Sequence, residues 1–257
     1  MKASDQKWTR EQTIVAFNLY CRIPFGKVAS HNQEIIAVAD LIGRSVNSLK
    51  MKIGNFGSLD PELKKRGITG LSNVSKLDRE IWNKFNQDWE GLAYLSERII
   101  AKSRNHNNTT NWNSKLAEDD FPEGIDKKGY IKARVNQSFF RQAVLSAYNY
   151  KCCTTGIDIL ELLIASHIIP CSKSKKERMN PRNGLCLNAL HDRAFDQGLM
   201  TVTPDFKIKI SKKILSNQNS LANRWMAQFD GERVAIPERF VPTPDILGYH
   251  NKNIFEG

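Results

Sequence analysis

Apolar residues in the first hundred positions recur every three or four residues, the spacing of one face of an α-helix. Residues 8–23 carry such a stripe, and Thr9 followed three residues later by Gln12 forms a capping box, so a helix is expected to begin there. A second stripe begins near Leu77, and helical character is expected to continue through residues 92–101. This pattern predicts a mostly helical domain over residues 1–101.

Two shorter helical stripes within residues 31–53 meet at Gly43. An alanine four residues before the glycine and an apolar residue six after it are the packing pattern of a helix-turn-helix, and the domain resembles a winged-helix or related module. The second helix, capped by Ser45, is expected to present Asn47, Lys50 and Lys52 to solvent, where they could reach phosphates or base edges. Plain helix packing without DNA contact is the alternative.

Residues 102–128 are polar, rich in asparagine and poor in apolar periodicity, which is typical of a linker. Residues 129–257 then regain an apolar pattern and are expected to form a second domain. Residues 130–135 alternate as in a short strand, and a helix with Phe140, Val144 and Tyr148 on one face is expected to follow.

The centre of the second domain alternates strand and helix signals. A β-rich segment ends at His167, a basic loop covers residues 171–182, and a short apolar strand follows over residues 184–187. Asn188 is a good N-cap for a short helix that Gly198 ends, and a hairpin should turn at residues 204–205. Residues 214–229 have helical period, and the proline-containing tail is expected to wrap the domain with His250 on its surface. The fold class predicted is α+β.

Composition points to a polyanionic partner. Lysine and arginine outnumber acidic residues, giving a net charge of +11 and an isoelectric point near 9.4. Such a surplus suits double-stranded DNA, because neutralising phosphates releases counterions. No apolar run is long enough for a membrane span, no signal peptide pattern opens the chain, and its 5 cysteines have no disulfide framework spacing, so a cytoplasmic protein is expected.

The segment runs in the order strand, loop, strand and helix. His167 ends the first strand, Asn183 precedes the second strand, and His191 lies in the helix. This order resembles that of the HNH (ββα-metal) endonucleases. The sequences CCTTG, SHIIP, NGLCLNALH and FDQG resemble most closely the branch that lacks a zinc ribbon, which contains restriction endonucleases. Since the chain has no CxxC pair, no structural zinc is expected.

The resemblance implies that His167 is the general base and that Asn183 ties the loop so that the base points correctly. A histidine suits that role because its ordinary pKa leaves it mostly neutral near pH 7. Family metal ligands lie about nine and thirteen residues after the asparagine, which here means Asp192 and Asp196. His191 matches the family by residue type but falls one position early, so both His191 and Asp192 remain candidates. Carboxylate ligands would favour Mg²⁺ or Mn²⁺.

Basic residues near these positions are candidates for contact with the DNA backbone, although a solvated surface is the alternative for each. The candidates are Arg134 in the expected strand, Arg141 in the helix after it, and, in the basic loop, Lys173, Lys175, Lys176, Arg178 and Arg182.

The sequence therefore predicts a metal-dependent DNA endonuclease with an N-terminal DNA-reading domain. A restriction enzyme would have this organisation, and so would a restriction enzyme that recognises modified bases. A homodimer is a candidate assembly, at least on DNA, because double-strand cutting by one HNH unit would need two copies. The alternatives are a DNA-binding regulator that uses the ββα unit as a scaffold and a nuclease directed at RNA.

Overall fold

The structure, a computed structural model, describes residues 7–71, 73–107, 127–217 and 220–257. The chain divides into two compact units, Met1–Gln142 and Ala143–Gly257. Helices dominate, and the described strands form two separate two-stranded antiparallel sheets, so the α+β class is confirmed. Among the described residues, no helix has both the length and the apolar character needed to cross a lipid bilayer.

Helices joined by short connecting segments make up the described residues of the first unit. Its helices are α1 (Arg10–Arg22), α2 (Gln33–Leu41), α3 (Val46–Leu59), α4 (Pro61–Lys65), α5 (Lys76–Phe85), α6 (Trp89–Asn107) and most of α7 (Lys127–Ala147). The Thr9–Gln12 capping box at the start of α1 is confirmed. Helix α1 packs on α3, α5 and α6, and the ring of its Phe17 lies 4.8 Å from that of Phe56 and 5.4 Å from that of Trp82.

Helices α2 and α3 form the expected pair around a tight turn. Gly43 has φ of 65°, a left-handed conformation that glycine adopts without steric cost. Ser45 caps α3 as predicted, through a bond from the Ser48 N–H to its hydroxyl. The turn is held from inside by Arg44, which is buried and donates to the side chain of Gln12 at 2.9 Å. The winged-helix resemblance stays a prediction.

Two segments differ from the expected secondary structure. Helix α3 continues past Gly54 and Gly57 to Leu59, and the ring of Phe25 occupies the space where a β-carbon on Gly57 would stand. The strand expected over residues 130–135 is wrong, because these residues belong to α7. The alternation there is short, whereas the apolar positions 135, 139 and 143 continue a helical period into the buried end of the helix.

The predicted exposure of Lys52 is also wrong. Its side chain is only 5% exposed, and its Nζ lies 2.6 Å from Asp78 Oδ1. Asp78 is fully buried at the start of α5, where its second oxygen accepts from the Ser75 N–H at 3.0 Å. Lys52 faces inward because it lies between Leu49 and Ile53 on the buried side of α3. The buried Lys52 side chain is therefore not available to contact DNA.

Replacement of Lys52 by alanine should destabilise the first unit by about 3–5 kcal/mol, because it leaves the Asp78 carboxylate buried without its cation. Urea unfolding of the intact protein would measure this loss. The matched control is Lys50→Ala, two residues away and partly exposed, which should change stability by less than about 0.5 kcal/mol. Equal effects of the two substitutions would show that the buried pair does not stabilise the fold.

The second unit is built from two hairpins and short helices. Strands β1 (Leu163–His167) and β2 (Gly184–Asn188) pair in register His167 to Gly184, and both contact α8 (Ala189–Asp196). Strands β3 (Met200–Val202) and β4 (Ile208–Ile210) form the predicted second hairpin. The predicted helical segment 214–229 overlaps the end of α9 (Lys212–Leu215) and contains α10 (Leu221–Met226). The tail carries α11 (Pro244–Asn253).

The expectation that His250 lies on the surface is wrong, since it is only 1% exposed on α11. Its ring stacks on Phe195 of α8 with centroids 3.6 Å apart. Its Nε2–H donates to the Phe195 carbonyl at 3.1 Å, and Nδ1 accepts from the Thr201 hydroxyl at 2.8 Å. The tail thus fastens α8 to β3, and both ring nitrogens are used in the neutral form.

Burial lowers the pKa of His250 to about 4, an effect that its bond to Phe195 only partly opposes. The unfolded chain therefore takes up a proton near pH 6.5, above the pH at which the folded chain does. Stability should fall by about 3 kcal/mol as the pH drops from 6.5 to 4. Urea unfolding at both pH values would measure this change, and His250→Gln should flatten it. An unchanged pH dependence in that variant would contradict the assignment.

Candidate active site

The first hairpin and α8 carry the candidate catalytic residues. His167 is the last residue of β1, Asn183 directly precedes β2, and α8 follows β2 with Asn188 as its N-cap. The Asn188 side-chain oxygen accepts from the His191 N–H at 3.0 Å, as the sequence predicts. Gly198, with φ of 67°, lies just past the end of α8.

The His167 ring is oriented by the basic loop that follows it. Its Nε2 lies 3.0 Å from the Arg178 carbonyl oxygen, and a carbonyl can only accept, so Nε2 carries the proton. In the neutral ring, Nδ1 then bears the lone pair. Burial lowers the pKa of His167, while the Arg178 carbonyl and the Asp192 carboxylate act in the opposite direction. The imidazole is therefore neutral near pH 7 and able to accept a proton.

Asn183 closes the loop between the two strands. Its side chain is fully buried, its oxygen accepts from the Ile169 N–H at 2.7 Å, and its amide donates to the Ile169 and Glu177 carbonyls at 2.9 and 3.2 Å. These bonds join the residues just after His167 to those just before Arg178. The arrangement holds the Arg178 carbonyl against the imidazole.

Asp192 and Asp196 lie one helical turn apart on α8, so their carboxylates share one side of that helix. Burial raises the pKa of Asp192, which nearby Ser166, Arg193 and His167 lower. Burial also raises the pKa of Asp196, and the charge of Asp192 raises it further. The two carboxylates are therefore close enough to repel each other, and Asp192 is close enough to His167 to interact electrostatically.

The His191 side chain packs beside Asn188 and Phe229, and its role as a metal ligand and catalytic residue beside Asp196 stays a prediction. The residue is 2% exposed, its Nδ1 lies 3.3 Å from the Asn188 amide nitrogen, and its ring lies nearly perpendicular to that of Phe229 with centroids 5.1 Å apart. Its neighbour is the Cys152 thiol. Adjacent residues on a helix point about 100° apart, so His191 and Asp192 cannot both face His167.

The Cys152 thiol was not singled out from the sequence. Burial raises its pKa, but bonds involving His191, Thr155 and Thr154 lower it to about 6. The Asn188 backbone N–H also donates to its sulfur at 3.3 Å. A cavity of about 380 Å³ opens beside this cluster, lined among others by Thr155, Asn188, Leu190, His191, Trp225 and Phe229.

The basic loop lies beside His167, with Lys173, Lys175 and Lys176 exposed and Arg178 and Arg182 partly buried. Arg182 also donates to the Val241 carbonyl at 3.2 Å, so it helps to hold the tail. The remaining candidates lie in the first unit: Asn47 is exposed, Lys50 donates to the Ser30 hydroxyl at 2.8 Å, and Arg134 and Arg141 are partly buried on α7.

A divalent cation fits the carboxylate pair by its chemistry. Asp192 and Asp196 supply hard oxygen donors at one place, and Mg²⁺ is commonly held by one or two carboxylates together with water and phosphate oxygens. Over the part of the chain that the structure describes, no three His, Cys, Asp or Glu side chains are grouped as a metal cage. Any cation here would take its other ligands from water and substrate.

Ser166 is a further residue that sequence reasoning undervalued. It precedes His167 in β1, is buried, and its hydroxyl lowers the pKa of Asp192 although it does not reach the geometry of a full hydrogen bond. No local pattern in the sequence marks it, because its partner Asp192 lies on a different element, α8.

Residues 152–203 match the family model described as HNH endonuclease. The matched segment runs from the Cys152 thiol through β1, the basic loop, β2 and α8 to β3, so it contains every candidate catalytic residue. No curated protein matches the chain. The family match confirms the resemblance for this segment and indicates nuclease activity on DNA.

Proposed function

We propose that this chain, which carries an HNH endonuclease domain at residues 152–203, is a metal-dependent endonuclease that hydrolyses phosphodiester bonds of double-stranded DNA. The observation that supports the proposal is a His167 ring oriented by the Arg178 carbonyl and within electrostatic range of Asp192, which lies one helical turn from Asp196. Hydrolysis needs a proton acceptor and a cation site within reach of one phosphate, and these residues supply both.

In the proposed mechanism, Nδ1 of His167 takes a proton from the attacking water. The bond from Nε2 to the Arg178 carbonyl fixes the ring and keeps the proton on the other nitrogen. Asn183 fixes that carbonyl in turn. Asp192 and Asp196 would hold Mg²⁺ or Mn²⁺, which offsets negative charge on the scissile phosphate and on the leaving 3′ oxygen.

The exposed lysines of the basic loop are proposed to contact the DNA backbone on either side of the cut. Lys173, Lys175 and Lys176 extend from the same loop that contacts His167. Arg178 and Arg182 would place positive charge nearer the hairpin. Such contacts position a duplex without reading its sequence.

The first unit is proposed to read the DNA through α3, which places Asn47 and Met51 at its surface. If Lys50 touches a phosphate, Lys50→Ala should weaken binding and reduce the slope of log affinity against log salt by about one. Fluorescence anisotropy with a labelled duplex at several salt concentrations would measure both. An unchanged slope would favour a purely structural role for α3.

We further propose a restriction-type role, including recognition of modified bases, in a cytoplasmic protein that acts as a homodimer on DNA. Two copies would bring two candidate sites to the two strands. The division into a reading domain of residues 1–101, a linker of residues 102–128 and a nuclease domain of residues 129–257 is part of the same proposal. Most of that linker lies outside the described residues.

Digestion of supercoiled plasmid tests the activity. The protein should convert plasmid to nicked or linear product when Mg²⁺ or Mn²⁺ is present. A chelator that removes the cation should abolish this cleavage. Plasmid with and without base modification, single-stranded DNA and structured RNA should be compared side by side. Binding without cleavage in every cation would support a non-catalytic regulator, and cleavage of RNA alone would support the RNA-directed alternative.

A further inference from the structure

The second nitrogen of the proposed base has a neighbour that the nuclease mechanism does not use. Cys171 Sγ lies 3.4 Å from Nε2 of His167. The same nitrogen lies 3.0 Å from the Arg178 carbonyl oxygen. Cys171 is the one exposed cysteine of the chain, whereas the other cysteines are buried. A soft sulfur, an imidazole nitrogen and a carbonyl oxygen therefore meet at the start of the basic loop.

The sulfur–nitrogen separation suits a shared transition-metal ion. Zinc lies about 2.3 Å from thiolate sulfur and about 2.0–2.1 Å from histidine nitrogen, so near-tetrahedral angles place the two ligand atoms about 3.4–3.6 Å apart. The observed 3.4 Å falls within that range without movement of either side chain. The Arg178 carbonyl is near enough to be a third ligand, with water completing the sphere.

We propose that His167 Nε2 and Cys171 Sγ form an inhibitory binding site for Zn²⁺ or a similarly soft divalent ion. The regulatory part of this proposal rests on the proposed nuclease function, whereas the metal site itself does not. Zn²⁺ would be selected over Mg²⁺ because thiolate and imidazole are ligands for soft and borderline ions. The hard carboxylates of Asp192 and Asp196 lie on α8 and serve the other class of ion.

Inhibition follows from the position of one proton. When the ion takes the Nε2 lone pair, the imidazole proton moves to Nδ1, and the Cys171 thiol releases its proton to solvent as sulfur binds. The bond from Nε2 to the Arg178 carbonyl breaks at the same time. A ring protonated at Nδ1 cannot accept a proton from the attacking water, so the base is lost without any change in the carboxylate pair.

Cobalt(II) titration of the full chain tests the site independently of cleavage, because a cobalt–thiolate bond gives a near-ultraviolet charge-transfer band. The parent protein should show this band, and added Zn²⁺ should remove it. Cys171→Ser should lose the band. Cys152→Ser is the matched control, since Cys152 also lies beside a histidine, and it should keep the band. Should that buried variant be unstable, Cys21→Ser in the first unit replaces it.

The functional arm measures plasmid cleavage in Mg²⁺ or Mn²⁺ with increasing Zn²⁺. Without Zn²⁺, Cys171→Ser should cleave at the parent rate, and its inhibition should require more than about tenfold more Zn²⁺. The proposal would be overturned if Zn²⁺ inhibited both proteins equally. It would also be overturned if the parent showed no cobalt band, if Cys171→Ser kept the band, or if Cys152→Ser lost it. If the parent cuts nothing, the proposed function fails, and the cobalt band still decides whether the pair binds metal.

Discussion

Replacement of His167 by alanine is expected to lower DNA cleavage by roughly 100- to 10,000-fold, the usual contribution of a general base. The loss follows from removing the only nitrogen that the mechanism uses to accept the water proton. DNA affinity should stay unchanged, because the ring makes its described bonds to the protein's own loop. Single-turnover cleavage of a labelled duplex and anisotropy on the same duplex would measure the two properties.

His31→Ala is a suitable control, because His31 is exposed and lies in the other unit. A thermal melt of each variant separates loss of the base from loss of the fold. Cleavage at the parent rate by a folded His167→Ala protein would eliminate the mechanism. Loss of both binding and cleavage would instead assign His167 to positioning the basic loop.

Replacement of Asp192 by asparagine is expected to raise the cation concentration needed for half-maximal cleavage by more than about tenfold. An amide of the same shape removes the charge that attracts the cation and leaves the helix intact. Asp196→Asn should act in the same direction. His191→Gln should leave cation affinity unchanged, because its ring lies with Cys152 and Asn188 rather than with the carboxylates. Titration of cleavage with Mn²⁺ would compare the three variants.

A direct measurement of Mn²⁺ binding by electron paramagnetic resonance would separate binding from catalysis. Parent-like Mn²⁺ affinity in both aspartate variants would exclude the pair as ligands. Loss of affinity in His191→Gln, with a parent-like melting temperature, would restore the alternative in which the histidine occupies the ligand position.

Local signals in the sequence predicted much of the site. The strand ending at His167, the cap at Asn188 and the end of α8 at Gly198 all depend on residues close together in the chain. Backbone hydrogen bonding and side-chain capping of this kind act within a few residues, so they can be read without the tertiary structure. Counting positions from Asn183 also led to the carboxylate pair.

Long-range contacts explain what the sequence did not predict. The local sequence predicts an exposed Lys52, because nothing near it indicates that Asp78, 26 residues later, lies against it. It also predicts an exposed His250, because the partners Phe195 and Thr201 lie about fifty residues upstream. Which of His191 and Asp192 faces the base depends on the rotation of α8 about its axis relative to the hairpin. The bond between His191 and the Cys152 thiol, 39 residues earlier in the chain, helps to set that rotation.

The attachment of α11 to α8 makes the candidate cleavage centre depend on a segment nearly fifty residues beyond its last carboxylate. A chain interrupted before residue 244 would contain His167, Asn183, Asp192 and Asp196 but would lack the imidazole that braces the helix carrying the two acids. Incomplete copies of the protein would then be poor at breaking DNA.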